Sequence, residues 1–438
     1  MSMRISRSMS VMLLAMQLFL GGWSGLGWAQ ERTLDRNIAL YQQLLRRNPL
    51  NARAYYGLGD AYSRKARENG DTTYYRLAEE ALRKVLQIQP QYSEARRHLA
   101  FVLYARHDFA GAAQEAERAI ALQPTDSHAY GVLGDAYLEV GKYAQARDTY
   151  QKMIDLQQDL YAYSRLAGLK SLTGDSAGAL AALHQALEAG QTSGSPQEHM
   201  AWVQWQLGNE FVALGNLADA EASYQRAHTT YPHYYRALAG LAQIQVAHQR
   251  YPEAIALYQQ ALTIIPLPEY AAALGDVLTK VNHHEDAAKQ YALVEYIGHL
   301  TTLNQVMYNR ELATFYVDHD VKLTEGLALA RKEIEVRQDI YAYDLLAWAL
   351  YKNGHPQEAQ AAIMEALKLG TQDARLFFHA GMIHVRLGAL AQATTYLRQA
   401  LATNPHFHLF HADVAKQTLR EFEERFTQTV QQGTGHGQ

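Results

Sequence analysis

The sequence predicts an all-helical fold: a right-handed superhelical solenoid of about ten helix–turn–helix units, with a capping helix at each end. The first observation is a recurring alanine, with most neighbours in the series 33 or 34 residues apart: Ala78, Ala112, Ala146, Ala179, Ala220, Ala254, Ala287, Ala330, Ala359 and Ala393. A period near 34 is typical of stacked helical pairs, in which each unit buries its apolar face against its neighbours. The second is composition: 48% hydrophobic and 19% charged residues suit a folded chain.

Each unit can be numbered so that its recurring alanine takes position 20. Position 8 is then small in nearly every unit, if an insertion is allowed for in the first: Gly59, Ala100, Gly134, Ala167, Gly208, Ala242, Gly275, Ala347 and Gly381. Antiparallel helices approach closely only where neither carries a bulky side chain, so we expect position 8 to face the alanine at position 20. Larger apolar residues at positions 4, 7 and 11 complete a helical stripe.

Proline and glycine mark the helix ends. Proline at position 32 ends the second helix of a unit, since it cannot continue a helix: Pro90, Pro124, Pro232, Pro266 and Pro405. Glycine at position 15 marks the turn between the two helices, as at Gly141, Gly174, Gly215, Gly354 and Gly388. This pattern resembles the tetratricopeptide repeat over nearly the whole chain after the first 30 residues.

The elements follow in order. Residues 1–29 resemble a secretory leader, with Arg4 and Arg7, an apolar stretch and small residues up to Ala29. An N-terminal capping helix is expected over 30–51, the solenoid over 52–405, a C-terminal capping helix over 406–430 and a disordered tail over 431–438. The segment 300–337 fits the repeat worst, with Leu312 near position 8 and a long turn at 318–320.

The resemblance implies that the first helix of each unit lines a concave groove through positions 2, 5, 9 and 12. These positions carry aromatic residues and arginines, the side chains that dominate binding energy at protein interfaces. The predicted groove residues are Tyr56, Arg97, Phe101, Tyr104, Tyr161, Trp202, Trp205, Asn209, Arg236, Tyr341, Trp348, Tyr351 and Phe378. A long loop precedes the unit of Trp202 and Trp205, so its register leaves two placements open for them, the groove and the core.

Histidines offer a second candidate site, because imidazole is a common ligand of zinc, nickel and copper. His406, His408 and His411 follow the last unit, and His379 lies in the helix before it. None of these residues forms a familiar metal-binding motif, and ordinary structural roles account for them better. Metal is therefore not part of the main prediction, and no cofactor is expected.

The chain shows no motif of an enzyme: it has no Walker loop, no dinucleotide loop, no nucleophile elbow and no cysteine. A net charge of −4 without a basic stripe argues against nucleic acid as partner. No segment after the leader is apolar enough to span a membrane.

We therefore expect an exported scaffold, in the periplasm first and secreted second, that binds a peptide or partner helix in the groove. Two alternatives stay open: a metal-binding or metal-responsive protein that uses the C-terminal histidines, and an accessory factor in assembly of the cell envelope or its polysaccharides. The sequence leaves the partner's identity and the oligomeric state open.

Overall fold

The computed structural model describes residues 27–303 and 310–434, and the regular elements in these ranges are all helices. Most of the predicted leader (1–29) and the last four residues of the predicted tail lie outside the described residues. The described helices form ten antiparallel pairs between two lone helices, α1 (Gly27–Arg47) and α22 (His411–Thr434). The predicted all-helical repeat fold is confirmed, and α22 runs beyond residue 430, where the sequence predicted its end.

The first helices of the pairs are α2 (Ala52–Asn69), α4 (Ser93–Ala105), α6 (Ser127–Glu139), α8 (Leu160–Leu172), α10 (Gln197–Ala213), α12 (Tyr235–Ala247), α14 (Pro268–Lys280), α16 (Arg310–Asp318), α18 (Ile340–Lys352) and α20 (Ala374–Arg386). The second helices are α3 (Thr73–Ile88), α5 (Phe109–Leu122), α7 (Tyr143–Leu156), α9 (Ser176–Ser193), α11 (Leu217–Thr230), α13 (Tyr251–Ile264), α15 (His284–Leu303), α17 (Leu323–Val336), α19 (Pro356–Leu367) and α21 (Leu390–Thr403).

The helix boundaries follow local chemistry. Gly174, in the turn before α9, has a left-handed φ of 77°, which glycine adopts without steric cost. Asp175 follows as the N-cap, and its carboxylate accepts a 2.9 Å hydrogen bond from the backbone N–H of Gly178. The predicted stop at position 32 also holds, since α3, α5, α11, α13 and α21 all end one or two residues before the proline.

The close approach within a unit differs from the prediction in one respect. Position 8 makes room for the large residue at position 24 and not chiefly for the alanine at position 20. A Cβ built on Gly208 would lie 2.3 Å from the ring of Tyr224, which is fully buried. The Tyr224 hydroxyl then donates a 2.8 Å hydrogen bond to Asn209 Oδ1, at position 9. Two other units repeat this arrangement, with Tyr150 donating to Asp135 and Tyr291 donating to Asp276.

The irregular unit of α16 and α17 keeps the same packing in a shifted register. The small residue of α16 is the fully buried Ala313, one residue after Leu312. Gly326 of α17 approaches it, with the position of its Cβ 3.6 Å from the Ala313 carbonyl oxygen. A turn of four residues, 319–322, links the two helices. Residues 304–309, at the start of this unit, lie outside the described residues.

First helices line the inside of the superhelix. The substantial contacts between alternate helices join first helices of neighbouring units, such as α4 with α6 and α18 with α20. Second helices spread apart on the outside, as curvature requires. The inner surface is therefore built from even-numbered helices, α2 to α20.

Successive turns of the superhelix touch each other. The backbone N–H of Gln338 donates a 2.9 Å hydrogen bond to the Glu139 carbonyl, and Asn404 Nδ2 donates a 2.8 Å bond to the Val212 carbonyl. Thr371 Oγ1 likewise donates to the Leu172 carbonyl. Each contact joins the inter-helix turn of one unit to the end of the unit five places later. At these contacts successive turns of the superhelix meet, so the wall around the inner surface is closed there.

Candidate binding surface on the inner helices

All thirteen predicted groove residues lie on first helices, but their exposure divides them. Trp348 and Phe378 are buried, with 3% and 1% of their surface exposed. They therefore pack in the core and are not available to a ligand in this conformation. The other eleven are partly exposed: Tyr56, Arg97, Phe101, Tyr104, Tyr161, Trp202, Trp205, Asn209, Arg236, Tyr341 and Tyr351.

Three of the partly exposed residues are held by partners inside the fold. Arg97 forms a salt bridge of 2.8 Å with Asp126 of the next unit. Tyr104 donates a 2.9 Å hydrogen bond to Glu139, and Asn209 accepts from the Tyr224 hydroxyl. These polar groups are already satisfied, so they stabilise the stack of units and are poor candidates for ligand contacts.

Trp205 lies against Arg236, and Trp202 is one helical turn away on α10. Together with Tyr235, Arg236 and Tyr270 we call these residues the Arg236 surface. The Arg236 guanidinium carbon lies 4.9 Å from the centre of the Trp205 ring and 5.2 Å from that of Tyr235. Both distances suit cation–π attraction. Among the described residues no carboxylate forms a salt bridge with Arg236, although Glu269 acts on it electrostatically. The surface thus combines apolar faces with one cation that has no ion-pair partner.

A second group on the inner surface lies around Tyr161. The Tyr161 hydroxyl and His199 Nδ1 are 2.7 Å apart, and the His128 ring meets the Tyr161 ring edge-on at 5.3 Å. Burial lowers the pKa of His199, and the nearby charge of Arg67 lowers it further. Arg67 belongs to the first unit and Tyr161 to the fourth, so their electrostatic interaction runs across the inside of the superhelix. Arg67 itself is exposed, which indicates solvent-lined space there.

The C-terminal part of the inner surface is filled. His379 stacks on Trp348 with 4.2 Å between ring centres, and His411 stacks on Phe378 at 4.8 Å. His408 covers the other side of the His411 ring at 4.0 Å. Residues 404–411 and the start of α22 therefore fold against this end of the inner surface. We call Asp318, Trp348, Phe378, His379 and His411 the Trp348 cluster.

Polar contacts hold the Trp348 cluster in place. Trp348 Nε1 donates a 2.8 Å hydrogen bond to Asp318 Oδ1. His379 Nδ1 lies 2.7 Å from Asp344 Oδ1, with 3% of each side chain exposed. Burial strongly lowers the pKa of His411, as do the nearby His408 and His379. The His411 ring is therefore neutral near pH 7.

The four histidines singled out in the sequence have different surroundings. His379 and His411 meet in the cluster, whereas His408 Nδ1 accepts hydrogen bonds from the backbone N–H groups of Phe410 (3.2 Å) and His411 (3.3 Å). His406 lies in the turn before α22, and its backbone N–H donates to Asn404. Sequence reasoning missed Asp318 as a member, because only the packing of three consecutive units brings it there.

A cavity of about 150 Å³ adjoins the cluster. Its lining includes the polar and charged side chains of Arg310, Asp318, Tyr341, Asp344, Arg375 and His379. Arg310 is held by salt bridges to Glu333 and Asp339.

None of the described helices has both the length and the apolar character needed to cross a bilayer.

Comparison with known proteins identifies the repeat. One model of the tetratricopeptide repeat matches residues 28–71, 206–272 and 345–406, and a second matches residues 103–172. Together these segments cover more than half of the chain. No curated protein matches the sequence.

Solved structures match the chain at low identity. PilW, a widely conserved type IV pilus biogenesis factor, is 16% identical at a TM-score of 0.40, covering 51% of this chain and 97% of its own. PilF of Pseudomonas aeruginosa is 16% identical at 0.38, covering 52% and 97%. A monomeric mutant of IFIT1 with Gppp-AAAA is 16% identical at 0.49, covering 77% and 76%.

Proposed function

The chain belongs to the tetratricopeptide repeat family, and from this premise we propose that it is a protein-interaction scaffold. Its ligand is an extended peptide segment with a carboxylate next to an apolar side chain. The site is the Arg236 surface, at the fifth to seventh units. The carboxylate pairs with Arg236, and the apolar side chain packs on Trp202 and Trp205.

The observation that carries this proposal is that Arg236 lies against aromatic rings and not against a carboxylate. Arg97 and Arg165, two other arginines of the inner helices, are neutralised by acids, with Asp126 at 2.8 Å and Asp135 at 2.7 Å. Arg236 instead lies against two aromatic rings without a salt bridge among the described residues. A guanidinium in these surroundings binds carboxylates well, because its planar fork matches their geometry and the aromatic faces limit its hydration.

The closed wall supports an extended peptide over a helix as the occupant. Contacts such as Asn404 with Val212 join successive turns of the superhelix. A ligand therefore reaches the inner surface along the superhelix axis, where a narrow extended chain fits more easily than a helix about 10 Å wide. Extended peptides also present alternate side chains to a surface, which suits the single arginine and its aromatic neighbours.

We further propose that the chain is exported, because residues 1–29 follow the order of a secretory leader. Mass spectrometry of the protein isolated from its natural host tests this separately from binding. Export predicts a mature N-terminus at Gln30, and an intact leader on the protein in the cytosol would contradict it.

Selection from a library of random displayed peptides tests the binding site. The expected peptides carry Asp or Glu beside an aromatic or aliphatic residue. Arg236→Gln should weaken the binding of a selected peptide about tenfold or more, as loss of a charge-assisted hydrogen bond does. Trp205→Ala should have a similar effect through lost packing.

The outer surface offers matched controls. Arg147 is exposed on α7 and Tyr296 is exposed on α15, both second helices. Arg147→Gln and Tyr296→Ala should leave peptide binding unchanged. Peptides that bind all four variants equally would place the ligand elsewhere and overturn the assignment of the Arg236 surface.

A further inference from the structure

The Trp348 cluster brings together three side chains that suit a metal ion. Asp318 at the end of α16, His379 on α20 and His411 at the start of α22 each offer one ligand atom, and these atoms lie within 4.8 Å of one another. We propose that they bind a divalent transition metal of the zinc type. This site lies apart from the Arg236 surface and does not depend on the peptide proposal.

In each of the two histidines of the group, one ring nitrogen has no hydrogen-bonding role in the described part of the fold. His379 Nε2 and His411 Nδ1 are buried without a hydrogen-bond partner among the described residues. A buried polar atom without a partner costs free energy, so native structures satisfy nearly all of them. Both unsatisfied nitrogens belong to the group that also contains a carboxylate oxygen. A bound cation would satisfy them together.

The surroundings orient each ligand. His379 Nδ1 donates to the Asp344 carboxylate at 2.7 Å, which leaves Nε2 with a free lone pair. A carboxylate behind a histidine is the usual support for a metal ligand, because it fixes the tautomer and the ring orientation. Trp348 Nε1 holds Asp318 in the same way at 2.8 Å. The stacks of His379 on Trp348 and His411 on Phe378 limit rotation of the rings.

The distances suit a small metal ion after a limited closure. In a tetrahedral zinc site the bonds measure about 2.0–2.2 Å, so neighbouring ligand atoms lie about 3.4 Å apart. Small side-chain rotations bring atoms within 4.8 Å to that spacing. Two histidines and one carboxylate leave a fourth position open. Asp318 and His379 also line the adjoining cavity, which can hold a water molecule or a ligand carboxylate there.

The local charge also suits a cation. Arg310 and Lys352 lie near the cluster, but Arg310 is paired with Glu333 and Asp339, and Lys352 with Asp320. The remaining cation is Arg375, on which the carboxylates of Asp318, Asp344 and Asp373 all act. Three carboxylates and one guanidinium leave negative charge for a divalent ion to neutralise. The fully oxygen-rich environment that Mg²⁺ and Ca²⁺ require is lacking, since two of the three ligands are imidazoles.

Zinc titration of the metal-free full chain by calorimetry tests the proposal. One Zn²⁺ per chain should bind, and Asp318→Asn and His411→Phe should each weaken binding about 100-fold or more through loss of a ligand. Asp318→Asn keeps an oxygen acceptor for Trp348, and His411→Phe keeps the aromatic stack. Asp344→Asn, which alters only the support of His379, should weaken binding about 10–100-fold.

His406→Ala provides the matched control, since it removes a histidine from the same segment and leaves the three ligands intact. It should bind Zn²⁺ like the unaltered chain. The proposal is wrong if the unaltered chain binds Zn²⁺ no more tightly than Asp318→Asn and His411→Phe do, or if His406→Ala loses as much affinity as His411→Phe.

X-ray absorption at the zinc edge gives a result that does not depend on whether the variants fold. The spectrum of the zinc-loaded full chain should show a first shell of nitrogen and oxygen with the multiple scattering of two imidazoles. A first shell with fewer than two imidazoles, or with three or more, would overturn the ligand set.

Discussion

Similar residues occupy the same repeat positions in the Arg236 surface and at the Trp348 cluster, but only the Arg236 surface is open to solvent. Trp205 and Phe378 both occupy position 5 of their units, and Arg236 and Arg375 both occupy position 2. Trp205 remains partly exposed, whereas Phe378 is covered by His411 and by Phe407, whose ring centre lies 5.5 Å away. A repeat position thus sets the direction of a side chain, but the next segment of chain decides whether a ligand can reach it.

The two arginines differ in the same way. Neither forms a salt bridge among the described residues. Arg236 lies against aromatic rings and is acted on by Glu269, whereas Asp318, Asp344 and Asp373 all act on Arg375. The first arrangement leaves a cation available to an anionic partner. The second neutralises the cation and keeps acidic oxygen close to histidine nitrogen. One inner surface therefore supports two different chemistries.

The largest expected difference between the two regions is in stability. Trp348→Ala should lower the free energy of unfolding by about 3–5 kcal/mol, because it removes a buried ring from a packed cluster. Trp205→Ala should cost less than half as much, since its ring is partly exposed. Urea unfolding of both variants measures this, and equal losses would contradict the division of the inner surface.

The packing beneath the Arg236 surface gives the next effect. Gly208→Ala places a methyl group 2.3 Å from a ring carbon of Tyr224, and such overpacking costs about 1–3 kcal/mol. Gly168→Ala is the control, because Gly168 lies in helix α8 with nothing within 4 Å of its Cβ position. That substitution should be neutral or slightly stabilising. If thermal unfolding shows both variants to be equally stable, the close approach of Gly208 and Tyr224 is wrong.

The contact between successive turns of the superhelix can be tested with a matched pair of glycine variants. These turns enclose both regions. Gly174 has a φ of 77° and its Cβ position lies 2.4 Å from the Gly370 carbonyl oxygen, whereas Gly388 has a φ of 73° and no atom within 4 Å. Both alanine variants incur the same left-handed backbone strain of about 1–2 kcal/mol. Gly174→Ala should be the less stable by about a further 1 kcal/mol from the steric conflict. Equal unfolding midpoints for the two variants would show that the turns do not touch in solution.

A smaller effect concerns pH at the junction between the two regions. His319 follows α16 and its Nε2 lies 2.7 Å from Asp276 of α14. Burial alone would lower the pKa of His319, but the hydrogen bond and charge of Asp276 raise it on balance. This stabilisation is fully present below the pKa of about 6.5 of an unfolded histidine and is lost as pH rises through the higher folded value.

His319→Gln should therefore lose more stability, relative to the unaltered chain, at pH 5.5 than at pH 8.5. Unfolding by urea at the two pH values gives the comparison. His283→Gln, at an exposed turn residue, serves as the control for the loss of a histidine. The same loss for His319→Gln at both pH values would exclude a protonated His319 paired with Asp276.

Much of the fold could be predicted because the repeat imposes the same physical demand in each unit. A small residue such as Ala146 or Ala254 recurs where the two helices of a unit cross, and a proline recurs two residues after α3, α5, α11, α13 and α21. Both leave a period in the sequence. The pairing of position 8 with position 24 could also have been predicted from the sequence. Gly208, Asn209 and Tyr224 recur as glycine, aspartate and tyrosine at Gly134, Asp135 and Tyr150.

The site could be predicted only in part. The repeat positions put Trp205 and Arg236 on the inner helices, but the burial of Trp348 depends on where residues 404–411 fold, and no periodicity encodes that. Asp318, His379 and His411 are separated by 61 and 32 residues, and they meet only through the stacking of three units and α22. The grouping of His406, His408 and His411 by sequence proximity accordingly contains one of the three proposed ligands, and His379, noted separately, is a second.

Quenching of tryptophan fluorescence by iodide tests the central division most directly. The measurement compares Trp202→Phe/Trp205→Phe with Trp348→Phe, in full chains in which Trp23 and Trp28 are also replaced by phenylalanine. The protein retaining Trp348 should resist quenching, because that ring is 3% exposed. The protein retaining Trp202 and Trp205 should be quenched strongly, with the iodide anion favoured near Arg236. Equal quenching of both proteins would contradict an inner surface that is open at one region and closed at the other.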